Sequence, residues 1–170
     1  MTVRKANFVD IPAIVALGAK AHEDSVYGPI TIYDTEMAKQ LCARSMQRHG
    51  HKNYGGTLVL VSEVDGDVKG FIIAILDQVY PCVEELSVTD LIFTGAEDMP
   101  PRDAIRIIDK VIAWGEANPK VVEIHMGVTD AITGQDWERV GKLYEHRGLA
   151  RCGGMYRRII DRNQQEVANV

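Results

Sequence analysis

TLVLVSEVDGDVKGFIIAILDQV, residues Thr57–Val79, decides the fold class of this chain. Its two runs of Val, Ile and Leu meet at Asp65-Gly66, and an Asp-Gly pair between such runs marks two antiparallel strands joined by a tight turn. Upstream the period is helical. VRKA (Val3–Ala6) reads as a short first strand, and Asp10 is placed to cap a helix with Pro12 in its first turn. Ile11, Ile14, Val15 and Leu17 recur at helical spacing and make one apolar face. HEDSVYGPITIY (His22–Tyr33) breaks that pattern with Gly28-Pro29 and reads as a loop. A second helix is predicted from Asp34 to Arg48, with Met37, Leu41 and Met46 inward and Gly50 as its stop.

Downstream of the hairpin, Val83–Phe93 reads as a third strand of this region, and Pro101–Ala117 as a helix that Asn118-Pro119 ends. That helix carries Ile105, Ile108 and Ile112 on one stripe, with Ile107 and Val111 beside it. VVEIHMGV (Val121–Val128) alternates, with Val122, Ile124, Met126 and Val128 to one side and Glu123 and His125 to the other. A helix from Asp136 to His146 leads through Gly148 to a last strand, MYRRII (Met155–Ile160). The order β-α-α-β-β-β-α-β-α-β describes one α+β domain over residues 1–162, followed by a polar tail, 163–170.

Composition narrows the function. With 170 residues, 46% hydrophobic and 25% charged, the chain reads as an ordinary soluble domain. A net charge of −5 and dispersed aromatics argue against nucleic-acid binding. No apolar run reaches the roughly 20 residues that cross a bilayer, and the N-terminus lacks a secretory h-region. Cys42, Cys82 and Cys152 form no CxxC pair, as expected of reduced thiols in the cytoplasm. Cys152 has no base near it in sequence. His49 and His51 lack further ligands near in sequence, so no metal site is expected. Arg151, Arg157 and Arg158 make a small basic cluster of the kind that solvent usually covers.

LYEHRGLARCGGMYRRI (Leu143–Ile159) places Leu143 and Tyr144 on a helix, Gly148 in the turn after it, and Tyr156 beside two arginines in the last strand. This combination resembles the closing segment of the GCN5-related N-acetyltransferase superfamily, with Leu149 where a Phe is usual. VRKANFVDIPAIVAL (Val3–Leu17) resembles the opening of the same family, and the element order is also that family's. The resemblance implies a three-layer α/β/α arrangement: a mixed, mostly antiparallel central sheet with helices on both faces. It also implies acetyl-CoA as acyl donor and an amine on a small molecule or peptide as acceptor, joined by direct attack in a ternary complex. Such small domains often pair sheet edges, so a homodimer is compatible with it.

The family's phosphate loop resembles Gln/Arg-x-x-Gly-x-Gly/Ala. Here it falls on Met99, Pro100, Pro101, Arg102, Asp103 and Ala104, and only Ala104 fits. A pyrophosphate at a helix N-terminus is held by free backbone N–H groups and the helix dipole. Each proline removes one donor, and a side chain in place of glycine intrudes on the ligand. Arg102 and Arg106 offer guanidinium groups instead. By the resemblance, cofactor contacts are expected along Phe93, Thr94, Arg102, Asp103, Ala104 and Arg106. The acids Glu97 and Asp98 before Pro-Pro also suit a plainly structural helix start.

Acyl transfer at neutral pH needs a deprotonated amine and a proton for the leaving thiolate. Tyr144 matches the family's proton donor to that sulfur. Asp90 is expected among Leu86, Val88 and Ile92 on one strand face, where burial would raise its pKa towards that of a useful base. Glu84 and Glu85 open the same strand, where family members often carry a glutamate base. His125 is the remaining candidate base, since imidazoles titrate near neutrality. The competing class is a non-catalytic interaction protein that kept this fold and let its cofactor loop decay.

Overall fold

Asp65 and Gly66 both adopt positive φ, 53° and 92°, and Val64 pairs directly with Asp67. That two-residue turn has the twist that matches paired strands. It joins β2 (Thr57–Val64) to β3 (Asp67–Gln78), the centre of a five-stranded sheet. Residues 2–82, 84–130 and 137–159 are described in the computed structural model of the chain. The sheet order is β1-β2-β3-β4-β5, with β1 at Thr2–Lys5, β4 at Leu86–Gly95 and β5 at Val121–His125. All neighbours are antiparallel except β4 and β5, which run parallel. Helices cover both faces, as the α+β, three-layer expectation required. Among the described residues no helix is long and apolar enough to cross a membrane.

Alternation along β2 and β3 divides the core in two. Leu58, Leu60, Ile72, Ala74 and Leu76 face α3 (Pro101–Glu116), with Ile107 and Val111 of that helix packed on them. Val59, Val61, Phe71 and Ile73 face the other way, onto Ile14 and Val15 of α1 (Ile11–Glu23) and Cys42 and Met46 of α2 (Thr35–Gln47). The buried stripe of α3 runs through Ile107, Ile108 and Val111, while Ile105 and Ile112 are half-buried flanks, a small rotation from the expected stripe.

Several expectations give way to local physics. Asp10 does not cap α1 with its side chain; Asn7 caps the preceding turn (Phe8–Asp10), and Arg4 grips the Asp10 carboxylate at 2.7 and 2.8 Å. Arg4 also bonds Glu63 at 2.7 Å, so β1, β2 and α1 meet at one guanidinium. Met37 is exposed, because the inward face of α2 runs through Ala38, Leu41, Cys42, Ser45 and Met46 at helical spacing. β4 starts at Leu86, leaving Glu84 and Glu85 in the approach to it, and Val83 lies outside the described residues. Residues 151–159 form no strand, and Met155, Tyr156 and Ile159 are exposed; Ile160 and the tail 163–170 lie outside the described residues. The last helix, α4, spans Trp137–His146, and Asp136 also lies outside them.

Two irregularities in the sheet alter facing. Ala74 pairs with Asp90 and Ile73 with Ile92, so Leu91 is an extra residue in β4 and stands exposed. A bulge of this kind reverses the alternation beyond it. Asp90 therefore shares the α3 face with Leu86 and Val88, while Ile92 packs on the opposite side. At the start of β5, Leu86 pairs with Val121 and Ser87 with Glu123, which leaves Val122 exposed as a second extra residue. Ile124 and Met126 keep the expected inward side.

Candidate functional site

β4 and β5 are paired from Leu86↔Val121 to Thr89↔His125, and their ladder ends there. At the next position Asp90 Oδ1 accepts the Gly127 N–H at 2.7 Å, so a carboxylate caps the N–H just past the end of the ladder. Beyond that point lies a cleft of about 360 Å³. Phe93 and Thr94 line it from the far end of β4, Gly127 and Val128 from the segment after β5, and Leu143 and Tyr144 from α4. Met99 and Ala104, just before and within α3, and Val140 of the last helix add to the wall.

The sequence places Tyr144 there by local means. Gly148 takes a left-handed conformation (φ 87°) and ends α4, and the Leu149 N–H returns to the Tyr144 carbonyl at 3.1 Å. Arg147 then ties α4 to α3 through Asp109, at 2.7 Å from Nε. Tyr144 is 6% exposed, and burial pushes its phenol well above the ordinary tyrosine range, with the Asp90 charge adding to the effect. The phenol is thus held protonated. Burial also raises the Asp90 carboxyl, against the opposing pull of the Gly127 N–H. Asp90 is thus near enough for its charge to act on the Tyr144 phenol, which lines the cleft.

The N-terminus of α3 is poor in backbone donors. Its cap is Pro100 and its first residue Pro101, neither with an N–H, and the Asp103 N–H is spent on the Pro100 carbonyl at 2.8 Å. Arg102 is exposed and forms no ion pair among the described residues. Asp103 is fully buried beneath the helix, where it accepts from Ser62 Oγ at 2.7 Å and pairs with Arg106 at 3.0 Å. Asp103 and Arg106 thus hold α3 to β2 and to each other rather than facing the cleft. Met99 turns inward: its sulfur lies over Gly70 and Gly95, partners across β3 and β4, in space that any Cβ at either position would occupy. Asp98 is neutralised by Lys69 at 2.9 Å.

The remaining candidates are dispersed. His125 sits beside Thr89 on the face opposite Asp90, exposed, with Nε2 3.1 Å from Glu123. Glu85 is exposed ahead of β4 and contributes its carbonyl to the Val79 N–H at 3.1 Å. The structure brings Tyr144, Phe93, Thr94 and Ala104 to one cleft, sets Asp90 behind its wall on the Gly127 N–H, and leaves Glu85, Asp103 and Arg106 outside it. Sequence reasoning missed the capping of Gly127 and the inward turn of Met99. Gly70 and Gly95 in strands were the available signal for the second, since strand glycines often mark a close approach.

The cleft is lined mainly by apolar side chains and by the buried Tyr144 phenol, a lining compatible with an acyl-pantetheine arm. A pyrophosphate finds less: the Arg102 side chain and little free backbone.

No protein-family profile and no curated sequence matches the chain. Solved structures do. A point mutant of the BH1408 protein from Bacillus halodurans superposes with a TM-score of 0.67 at 18% identity, over 94% of this chain and 99% of that one. The aminoglycoside N-acetyltransferase AAC(6')-Iy, solved with a CoA bisubstrate analogue, gives 0.63 at 16%, over 94% and 98%. Glucosamine-6-phosphate N-acetyltransferase from Arabidopsis thaliana gives 0.65 at 8%, over 94% and 98%. With its bulged β4, its parallel β4–β5 pair and the cleft where they part, this chain has the fold of the GCN5-related N-acetyltransferases.

Proposed function

We propose that the protein is an N-acyltransferase that passes an acyl group, in the simplest case acetyl, from a CoA thioester to a primary amine by direct attack. The observation that carries this reading is Tyr144: a buried, protonated phenol beside Asp90, at the head of a cleft that opens where two parallel strands part. The bound thioester supplies the activated acyl carbon and a sulfur leaving group. Tyr144 carries a phenol proton at the cleft, where the departing sulfur requires one, and burial raises its pKa so that it gives the proton up only to a strong base such as the thiolate. Asp90 acts as a positioning group, since its carboxylate fixes Gly127 and so the width of the cleft mouth. His125, on the opposite face beside Thr89, is the base for the incoming amine, with Glu123 orienting its ring. Leu91, the extra residue of the β4 bulge, interrupts the regular β3–β4 pairing next to Asp90, where an acyl oxygen would want a donor. Cys42, Cys82 and Cys152 line none of the cleft, which supports attack without an acyl-enzyme. Arg102 meets the donor's phosphates with its side chain.

Titration of the protein with acetyl-CoA, with Arg102→Glu as the paired variant, tests the donor. Micromolar binding that the charge reversal weakens supports the reading. Silence up to millimolar acetyl-CoA sinks it and favours the second reading, a non-catalytic interaction protein, which the proline-blocked start of α3 supports. Tyr144→Phe tests the chemistry. With an identified acceptor, kcat falls by about a hundredfold while acetyl-CoA affinity holds, a loss typical of general acid catalysis.

A further inference from the structure

A helix leaves four backbone N–H groups without intrahelical partners at its start, and these are what a bound phosphate uses. At α3 two of the four positions are Pro100 and Pro101, which carry no N–H. The Asp103 N–H is bonded to the Pro100 carbonyl at 2.8 Å. That leaves the N–H of Arg102.

Side-chain cations do not make up the difference. Arg106 is paired with the fully buried Asp103 carboxylate at 3.0 Å, and Lys69 with Asp98 at 2.9 Å. Arg102 forms no ion pair among the described residues. One residue thus supplies both the remaining N–H and the uncommitted guanidinium. The fixed charges also oppose a polyanion. Asp103 puts a carboxylate into the first turn, where the helix dipole would otherwise favour a ligand phosphate, and Glu97 is exposed in the approach. The cleft itself is lined by no lysine or arginine, and its volume of about 360 Å³ is near the lower end of the roughly 300–1,000 Å³ usual for small-molecule sites.

The nucleotide half of CoA asks for more than this. It brings an adenine, a diphosphate and a separate phosphate monoester, whose charge alone is about −1.5 to −2. We infer that the protein recognises its donor by the acyl-pantetheine arm and the first phosphate only, leaving the adenosine end of CoA unread. Acyl-4′-phosphopantetheine then serves as well as acyl-CoA, whatever the phosphate is attached to. The arm lies in the apolar cleft with its thioester towards Tyr144, and its phosphate meets Arg102, two residues before the cleft-lining Ala104. This assignment rests on the proposed acyltransferase reading and narrows its donor.

The test is calorimetry on the whole protein with acetyl-CoA, acetyl-4′-phosphopantetheine and acetyl-pantetheine, and with Arg102→Glu as a variant checked for an unchanged thermal midpoint. The first two should bind within about threefold of each other. Acetyl-pantetheine should bind about fivefold more weakly, the scale of one exposed charge pair. Arg102→Glu should abolish that fivefold advantage and leave acetyl-pantetheine binding unchanged. Acetyl-CoA binding tenfold or more tighter than acetyl-4′-phosphopantetheine would show that the nucleotide is read, which overturns this inference and leaves the acyltransferase reading standing. Equal binding of acetyl-pantetheine and its phosphorylated form overturns the assignment of the phosphate to Arg102. Silence from all three thioesters up to millimolar concentration overturns the acyltransferase reading itself, and this inference with it.

Discussion

Met99 illustrates how one side chain can be read correctly by type and wrongly by role. Its position matches a phosphate-contacting residue of the resembled family, so a thioether there registers as a lost ligand. In the folded chain it is a packing residue, seated over two glycines that exist at adjacent strand positions to admit it. Gly70→Ala should therefore destabilise the protein by about 1–3 kcal/mol, the usual cost of overpacking. Urea denaturation of Gly70→Ala, Met99→Ala and the double variant gives the measure. Because the clash is with the thioether, the added cost of Gly70→Ala should shrink when Met99 is already truncated, and equal costs in both backgrounds would contradict the contact. Tyr144 was legible because its signals are local, namely a helix, a neighbouring leucine and a glycine stop. The Asp90–Gly127 bond joins residues 37 positions apart and was not.

Elements follow the sequence where their punctuation is strong. Asp65-Gly66 specified its hairpin because few other residue pairs tolerate two positive φ values, and Asn118-Pro119 follows the end of α3 at Glu116 as expected. The bulges at Leu91 and Val122 escaped notice, since counting alternate residues assumes a regular strand and both extra residues look as apolar as their neighbours. MYRRII had the composition of a strand, but its described residues, 155–159, find no partner edge. Composition licenses a strand, and only pairing makes one. At the start of α3 the missing donors make a quantitative prediction. Pro101→Ala restores one N–H at the helix N-terminus, and a dipole-aligned donor to phosphate is worth about 0.3–1 kcal/mol. Acetyl-CoA affinity should rise about two- to fivefold by calorimetry. A fall in affinity would mean that the rigid proline turn itself positions Arg102.

At the scale of the whole molecule, stability against acid should reflect which groups the fold holds in one charge state. His49 accepts the Val59 N–H at Nδ1 (3.2 Å) and buries Nε2 without a partner among the described residues; burial and the nearby Lys5 charge lower its pKa. The unfolded chain therefore takes up that proton first, and stability declines as pH falls below the ordinary histidine value of 6.5. Arg4 holds the Asp10 carboxyl below its ordinary value of 3.8, so that contribution stays intact above 3.8 and is lost only as pH drops through the depressed pKa. Asp90, raised by burial, works in the opposite sense and regains stability on protonation. Urea midpoints should thus begin to fall near pH 6.5, and His49→Gln, which can still accept the Val59 N–H, should remove that first decline. What the sequence by itself determined is the helices and the first five strands, their order, the α+β class and the place of Tyr144 on the last helix, because propensity, turn chemistry and apolar period act over a few residues. Which face each polar residue occupies was decided only by the tertiary structure. Two single-residue bulges shift the alternation of β4 and β5, and the parting of those strands separates Tyr144 and Asp90 from His125, Glu123 and Ser87. Such facing depends on register between strands far apart in sequence, a long-range constraint that no local pattern contains.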